Sequence, residues 1–313
     1  MKKPLFELPY YLTDGGLETT LVFHRGIPLS CFAAFDLLRN DEGRKELRNY
    51  YLSYLKIAAR YRLPFVMESP TWRASADWGF RLGYTHDELF AINKKAIKFM
   101  RDVAEPYADR LPEIIVSGNI GPRGDGYRVD TWMSAQEAKA YHLDQVKAFA
   151  LADADLVSAF TINYCEEAIG IVEAAKSFNL PVVISFTVET DGHLPSGDSI
   201  GYDIEKVDAE TGGYAEHYMI NCAHPEHFKN RLIADAAWVD RIKGIRANAS
   251  MSSHAELDAS ETLDTGDKTL LLKGYQILTE LLPNLKVVGG CCGTDHTHIS
   301  HICRHLKKDV NAR

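Results

Sequence analysis

Nowhere in this 313-residue sequence does an apolar run approach the roughly 20 residues that cross a bilayer. The leading stretch, MKKPLFELPYYLTDGG, has too short an apolar core for a signal peptide. These two absences predict a cytoplasmic protein with no membrane partner. Positive charge is also scarce: the net charge of −8 argues against a nucleic-acid partner, which would ask for a basic stripe. Cysteine is sparse, six in all, so metal or catalytic use is favoured over a disulfide framework. No Gly/Ser linker or change of composition divides the chain, which reads as one domain over 1–313. The first predicted strand runs into DGGLETT rather than GxGxxG, which removes the phosphate signature of a doubly wound sheet.

What is present is an alternation of short β-prone runs and helical patterns. Strands are predicted at Tyr10–Thr13, Leu63–Met67, Ile114–Ser117, Asp155–Ala159, Pro181–Val188, Tyr214–Ile220, Arg241–Ala247 and Leu285–Val288. Between them, Glu42–Tyr61 and His86–Tyr107 carry apolar residues at helical spacing. Ser134 and Glu137 form a capping-box pattern, and Pro225 opens a helix predicted to reach Ala237. Further helices are read at Glu166–Phe178, from Leu270 to Leu282, and at Ile299–Leu306. Eight strands alternating with helices predict a single (β/α)8 barrel. The pattern closes near Arg313 without an appended arm, so a monomer or small homo-oligomer is expected.

A barrel gives strand ends a meaning, because its active site lies at the carboxyl ends of its strands. Asp14, Glu68, Asn119, Thr161, Asn163, Glu189, Cys222, Asn248, Cys291 and Cys292 all fall there. Cys222 follows the sixth strand, and Cys291 and Cys292 follow Gly289 and Gly290 at the end of the eighth. Three thiols from two strand ends can converge on one zinc ion and leave its fourth position open, the pattern of a catalytic site. His217, His224 and His227 near Cys222, and His296, His298 and His301 after Cys292, offer an alternative His/Cys set. Cys31, Cys165 and Cys303 read as structural.

With Asp14-Gly15-Gly16, Asn221-Cys222, Ser185–Gly197 and Gly289-Gly290-Cys291-Cys292-Gly293, the sequence resembles the homocysteine S-methyltransferase family over nearly its whole length. The resemblance implies that Cys222, Cys291 and Cys292 bind zinc and that a substrate thiol takes the fourth position. It implies that Asp14, Gly15 and Gly16 hold the amino-acid portion of the acceptor, homocysteine, with methionine as product. A free thiol is only a few per cent ionised at neutral pH, and zinc deprotonates it outright. The resulting sulfur can take a methyl group from a cationic donor, S-methylmethionine or S-adenosylmethionine.

Two departures from that family bear on the substrates. Where it typically ends the fourth strand with a glutamate that binds the acceptor's amine, this chain has Ala159–Tyr164 and no acid until Glu166. Glu68, Glu166 and Glu189 are the candidates to replace it, with Asn163 beside them. A different thiol or selenol acceptor is the alternative, and a non-catalytic zinc-binding relative is a further one. Trp72 can wall a donor site through cation–π attraction, but Arg73 stands where a tyrosine is expected and disfavours betaine.

Overall fold

A computed structural model describes residues 4–232 and 236–312. Its strands are β1 Tyr11–Leu12, β2 Phe65–Glu68, β3 Ile114–Ile120, β4 Leu156–Ile162, β5 Val182–Phe186, β6 His217–Asn221, β7 Ile242–Ala247 and β8 Val287–Gly290. They pair in sequence order, all parallel, and close into a barrel where Leu12 meets Val288. The helices that follow them are α1 Asp41–Tyr61, α2 His86–Ala104, α3 Ala135–Leu151, α4 Cys165–Lys176, α5 Ile200–Thr211, α6 Pro225–Phe228, α7 Lys268–Leu281 and α8 His296–Ala312. The single-domain (β/α)8 barrel expected from the sequence is the fold.

Strand composition explains the layers. Nearly every strand residue is buried, as parallel strands covered on both faces require. Outward-facing Val, Ile and Leu pack beneath the helices, while Phe6, Tyr11, Val66, Ile115, Leu156, Phe160, Val183, Met219 and Val287 fill the barrel interior. Phe6 closes the amino-terminal end, edge-on to Tyr11 and His217 at 5.2 and 4.7 Å. His217 therefore sits in an apolar plug, where burial pushes its pKa down to about 3. Ser134 and Glu137 make the reciprocal cap of α3 that their spacing predicts.

The elements depart from expectation in three places. The helix predicted from Pro225 to Ala237 stops at Phe228, a 3-10 turn covers Lys229–Arg231, and a separate short helix holds Ala237–Asp240. Residues 233–235 of that prediction lie outside the described residues. Helix α5, capped by Ser199, was not read from the sequence, although Ile200, Ile204 and Val207 bury one face of it. Strand β4 runs past Ala159 to Ile162, with a register shift between those residues and Thr161 at φ +63°. That bulge reshapes the one strand end where an acid was expected.

Candidate metal centre and its cleft

Strand register sets the level of the three thiols. Across β6, β7 and β8, Asn221 pairs with Arg246, and Arg246 with Gly289, so the strand ends finish side by side. The end of β7 fixes both neighbours: Cys222 N–H donates to Arg246 O at 3.1 Å, Cys291 N–H to Ala247 O at 2.9 Å, and Asn248 Nδ2 to Cys222 O at 3.0 Å. Cys222 itself is turned into the left-handed region, φ +54°, which aims its side chain toward β8. The sulfurs of Cys222, Cys291 and Cys292 all lie within 4.8 Å of one another. Tetrahedral thiolate ligands with bonds of about 2.3 Å stand roughly 3.8 Å apart, so this donor set fits a zinc ion.

Two observations qualify that geometry. Cys222 and Cys291 are drawn together as a disulfide pair, Cα atoms 5.4 Å apart, while Cys292 is free. Only the reduced set offers three ligands. Burial also pushes the Cys292 thiol up to about 11, so it needs a cation to persist as thiolate at neutral pH. No histidine joins the cluster among the described residues. His224 caps α6, with burial lowering it to about 4, His227 bonds Met251 O at 2.9 Å, and His298 pairs with Asp295 at 2.8 Å.

Polar groups surround the sulfurs. Asn221 Oδ1 accepts from Thr161 N–H at 2.9 Å and Ser185 Oγ at 2.7 Å, and its Nδ2 donates to Thr161 Oγ1 at 2.9 Å and toward Cys291 Sγ at 3.9 Å. One side chain thus ties the β4 bulge and β5 to the sulfur cluster. Tyr127, from the loop after β3, brings its hydroxyl within 3.7 Å of Cys222 Sγ and 3.8 Å of Cys292 Sγ. Its ring stacks on His254 at 4.0 Å, and His254 Nε2 meets Cys222 O at 2.6 Å.

The sulfurs form the floor of a cleft lined also by Asp14, Gly15, Gly16, Glu18, Glu68, Trp72, Asn119, Phe160 and Arg246. Arg246 is buried, donating to Asp14 Oδ1 at 2.7 Å, Gly15 O at 3.1 Å and Gly290 O at 3.0 Å. Tyr50 donates to Asp14 Oδ2 at 2.9 Å, so both oxygens of that carboxylate are engaged. A side chain at Gly16 would meet Cys291 O at 2.7 Å; the glycine permits close approach of this turn to the thiol-bearing strand end. Farther out, a second pocket shares Trp72, Phe32, Tyr127 and Cys292 and adds Phe23, Arg73, Asp125 and Asp258. Arg73 lies between the faces of Trp72 and Trp78, at 4.0 and 3.9 Å.

Comparison with known proteins decides the family. The profile of homocysteine S-methyltransferases matches residues 11–306. The chain belongs to the homocysteine S-methyltransferase family. It is a methyltransferase with the family's barrel. Curated relatives named homocysteine S-methyltransferase 1 are 23% identical in Arabidopsis thaliana and 22% in Brassica oleracea var. italica, each alignment covering 95% of this chain and 93% of the relative. The metallated form of the homocysteine methyltransferase MmuM from Escherichia coli superposes with a TM-score of 0.74 at 20% identity, over 96% of this chain and 98% of that one. The oxidized form of the same protein gives 0.73 at 22% identity, over 96% and 97%.

Of the residues singled out from this S-methyltransferase sequence, the cleft gathers Asp14, Gly15, Gly16, Glu68, Trp72, Asn119, Thr161, Cys222, Cys291 and Cys292. Asn163 and Glu189 are not part of its lining. Asn163 donates to Asp125 O and Arg128 O at 3.0 and 3.3 Å, holding the loop that carries Tyr127. Glu189 pairs with His254 Nδ1 at 3.0 Å, behind Cys222. Glu166 is bound to Lys206 at 2.7 Å on the outside of the barrel. Sequence reasoning missed Arg246, Tyr127 and Glu18. A charged residue inside the strand pattern RIKGIRANA was a signal for Arg246, since a buried arginine demands a buried partner. Nothing in the sequence marked Tyr127.

Proposed function

We propose that this homocysteine methyltransferase uses zinc held by Cys222, Cys291 and Cys292 and takes its methyl group from a sulfonium donor, S-methylmethionine or S-adenosylmethionine. The observation that carries the reading is the meeting of three sulfurs, far apart in sequence, within 4.8 Å at the floor of one cleft. Zinc on such a set keeps an acceptor thiol ionised at neutral pH. The acceptor sulfur then attacks the donor's methyl carbon. A carbon–sulfur bond forms there as the donor's own bond breaks, its electron pair neutralises the sulfonium, and the acceptor's proton goes to solvent.

The chain's own residues supply position and charge. The turn at Asp14, Gly15 and Gly16, locked by Arg246 and Tyr50, offers the edge on which the acceptor's amino-acid end rests. The outer pocket brings the aromatic rings of Phe23, Phe32 and Trp72 and the acids Asp125 and Asp258 to the mouth together with Arg73, so the two acids outnumber the one cation that a sulfonium would meet there. Arg73 already stacks on the Trp72 ring at 4.0 Å, which weighs against that ring serving as the wall for a betaine quaternary ammonium. The lack of an acid at the end of β4 favours one second reading, the same chemistry on another thiol or selenol.

Metal analysis and methyl transfer with each donor test the proposal. One zinc per chain and methionine from homocysteine are expected, with both metal and activity lost in Cys292→Ala. Undiminished transfer by metal-free protein would overturn it. A thiol without the amino-acid head group, turned over faster than homocysteine, would favour the second reading.

A further inference from the structure

We propose that Glu68 and Asn119, at the ends of β2 and β3, form the seat for a positively charged amino group on the thiol acceptor. The inference rests on the acceptor reading above and names the groups that read the amine. Among the described residues, the buried side-chain polar atoms of the inner cleft that lack a hydrogen-bond partner are Glu68 Oε2 and Asn119 Oδ1. Glu68 is only 5% exposed. Leaving such acceptors bare is costly, and two of them facing one cavity call for a ligand with several N–H donors.

The two are neighbours by register. Glu68 pairs with Ser117, two residues before Asn119 on the same face of β3. Glu68 Oε1 accepts from Ser158 Oγ at 3.0 Å, and Ser158 is the β4 partner of Asn119. The carboxylate therefore reaches across β3 beside Asn119. Ser117 Oγ donates to Ser158 Oγ at 2.8 Å, so this serine relay ends at Oε1 and leaves Oε2 for the cleft. The backbone of Asn119 is already engaged, its N–H with Ser69 Oγ at 3.0 Å and its carbonyl with Thr71 Oγ1 at 2.7 Å.

The other acids named from the sequence are spent elsewhere, while Glu18 shares the wall of the inner cleft with Glu68. Asp14 is held by Arg246 and Tyr50, Glu189 by His254, and Glu166 by Lys206. Arg246 is the cation whose charge Glu68 feels most, yet its hydrogen bonds go to Asp14, Gly15 and Gly290. Burial pushes the Glu68 carboxyl up to about 7, a cost that a bound ammonium would offset. A strand-two carboxylate and a strand-three amide thus supply what the end of β4 lacks.

Calorimetric binding to the zinc-loaded protein tests this with three thiols: homocysteine, 4-sulfanylbutanoate, which lacks the amine, and 3-aminopropane-1-thiol, which lacks the carboxylate. Wild type is expected to bind both amine-bearing thiols at least ~10-fold more tightly than the deaminated one, as suits a charge-assisted hydrogen bond. Glu68→Gln is expected to shrink that preference to about threefold or less, and Asn119→Ala to reduce it partially, with zinc content unchanged. If Glu68→Gln does not fold, Asn119→Ala carries the same comparison. Absence of a preference in wild type, or its full retention in the variants, overturns the proposal. If amine-bearing thiols bind through Glu68 but homocysteine receives no methyl group, the acceptor assignment falls while the seat stands.

Discussion

Tyr127 holds its hydroxyl 3.7 and 3.8 Å from two of the three sulfurs, close to the spacing of about 3.8 Å between corners of a tetrahedral thiolate site. An acceptor sulfur bound beside Cys222 and Cys292 must share or take that place. Tyr127→Phe removes the obstacle but not the stacking on His254. It is expected to keep its zinc and to bind homocysteine a few-fold more tightly, about threefold by calorimetry, since one hydrogen-bonded hydroxyl no longer has to be displaced. A loss of affinity beyond about tenfold would mean that the hydroxyl holds the acceptor rather than yields to it. The convergence of Cys222, Cys291 and Cys292 and the place of the Asp14 turn were legible in the sequence because they stand at the carboxyl ends of strands that a barrel brings together. Tyr127 was not legible, because a loop tyrosine carries no periodicity and its position depends on Asn163 bonding the loop from β4.

Glu68 gives a second test at this scale, in the ligand-free protein. Its folded pKa of about 7 lies above the ordinary 4.5, so its contribution to stability is fully present below the lower value and is lost as pH rises through the higher one. Glu68→Gln should therefore gain stability relative to wild type between pH ~5 and ~8, by up to ~3 kcal/mol. Arg246 opposes the shift while Asp14 adds to it. Paired chemical denaturation curves at the two pH values measure the difference. A pH-independent difference would show that the carboxyl is not perturbed.

At the scale of elements, the site depends on how β4, β6 and β8 end. Asn221 joins them: it satisfies the N–H of Thr161 at the β4 bulge, takes the Ser185 hydroxyl from β5 and reaches Cys291. Asn221→Ala would strand those groups and free the turn at Cys222. A stability loss of about 2–3 kcal/mol and a 10- to 100-fold drop in zinc affinity are expected. Thermal denaturation and chelator competition measure the two; unchanged zinc affinity would confine Asn221 to the fold. The alternation of strands and helices was readable because buried parallel strands are continuously apolar. The ends were harder. The β4 bulge arises from a side chain 60 residues away, and no local pattern carries that bond. The helix begun at Pro225 ends at Phe228, and its sequence continues in helical character without a break to announce the end.

For the whole molecule, the barrel brings residues of the first, second, third, fourth, sixth, seventh and eighth strand ends into one cleft above an apolar plug. Zinc uptake at the proposed site would depend on redox state, since Cys222 and Cys291 could not ligate while paired with each other. Protein handled without reductant is expected to show about two fewer titratable thiols of its six and to take up little zinc, with recovery on reduction. Equal zinc uptake in both states would mean that the metal sits elsewhere. The most direct test of the central claim is zinc-edge X-ray absorption on reduced protein with and without homocysteine. Three sulfur ligands at about 2.3 Å, rising to four when homocysteine is added, are predicted. An unchanged first shell on adding homocysteine, or fewer than three sulfurs without it, would contradict the account.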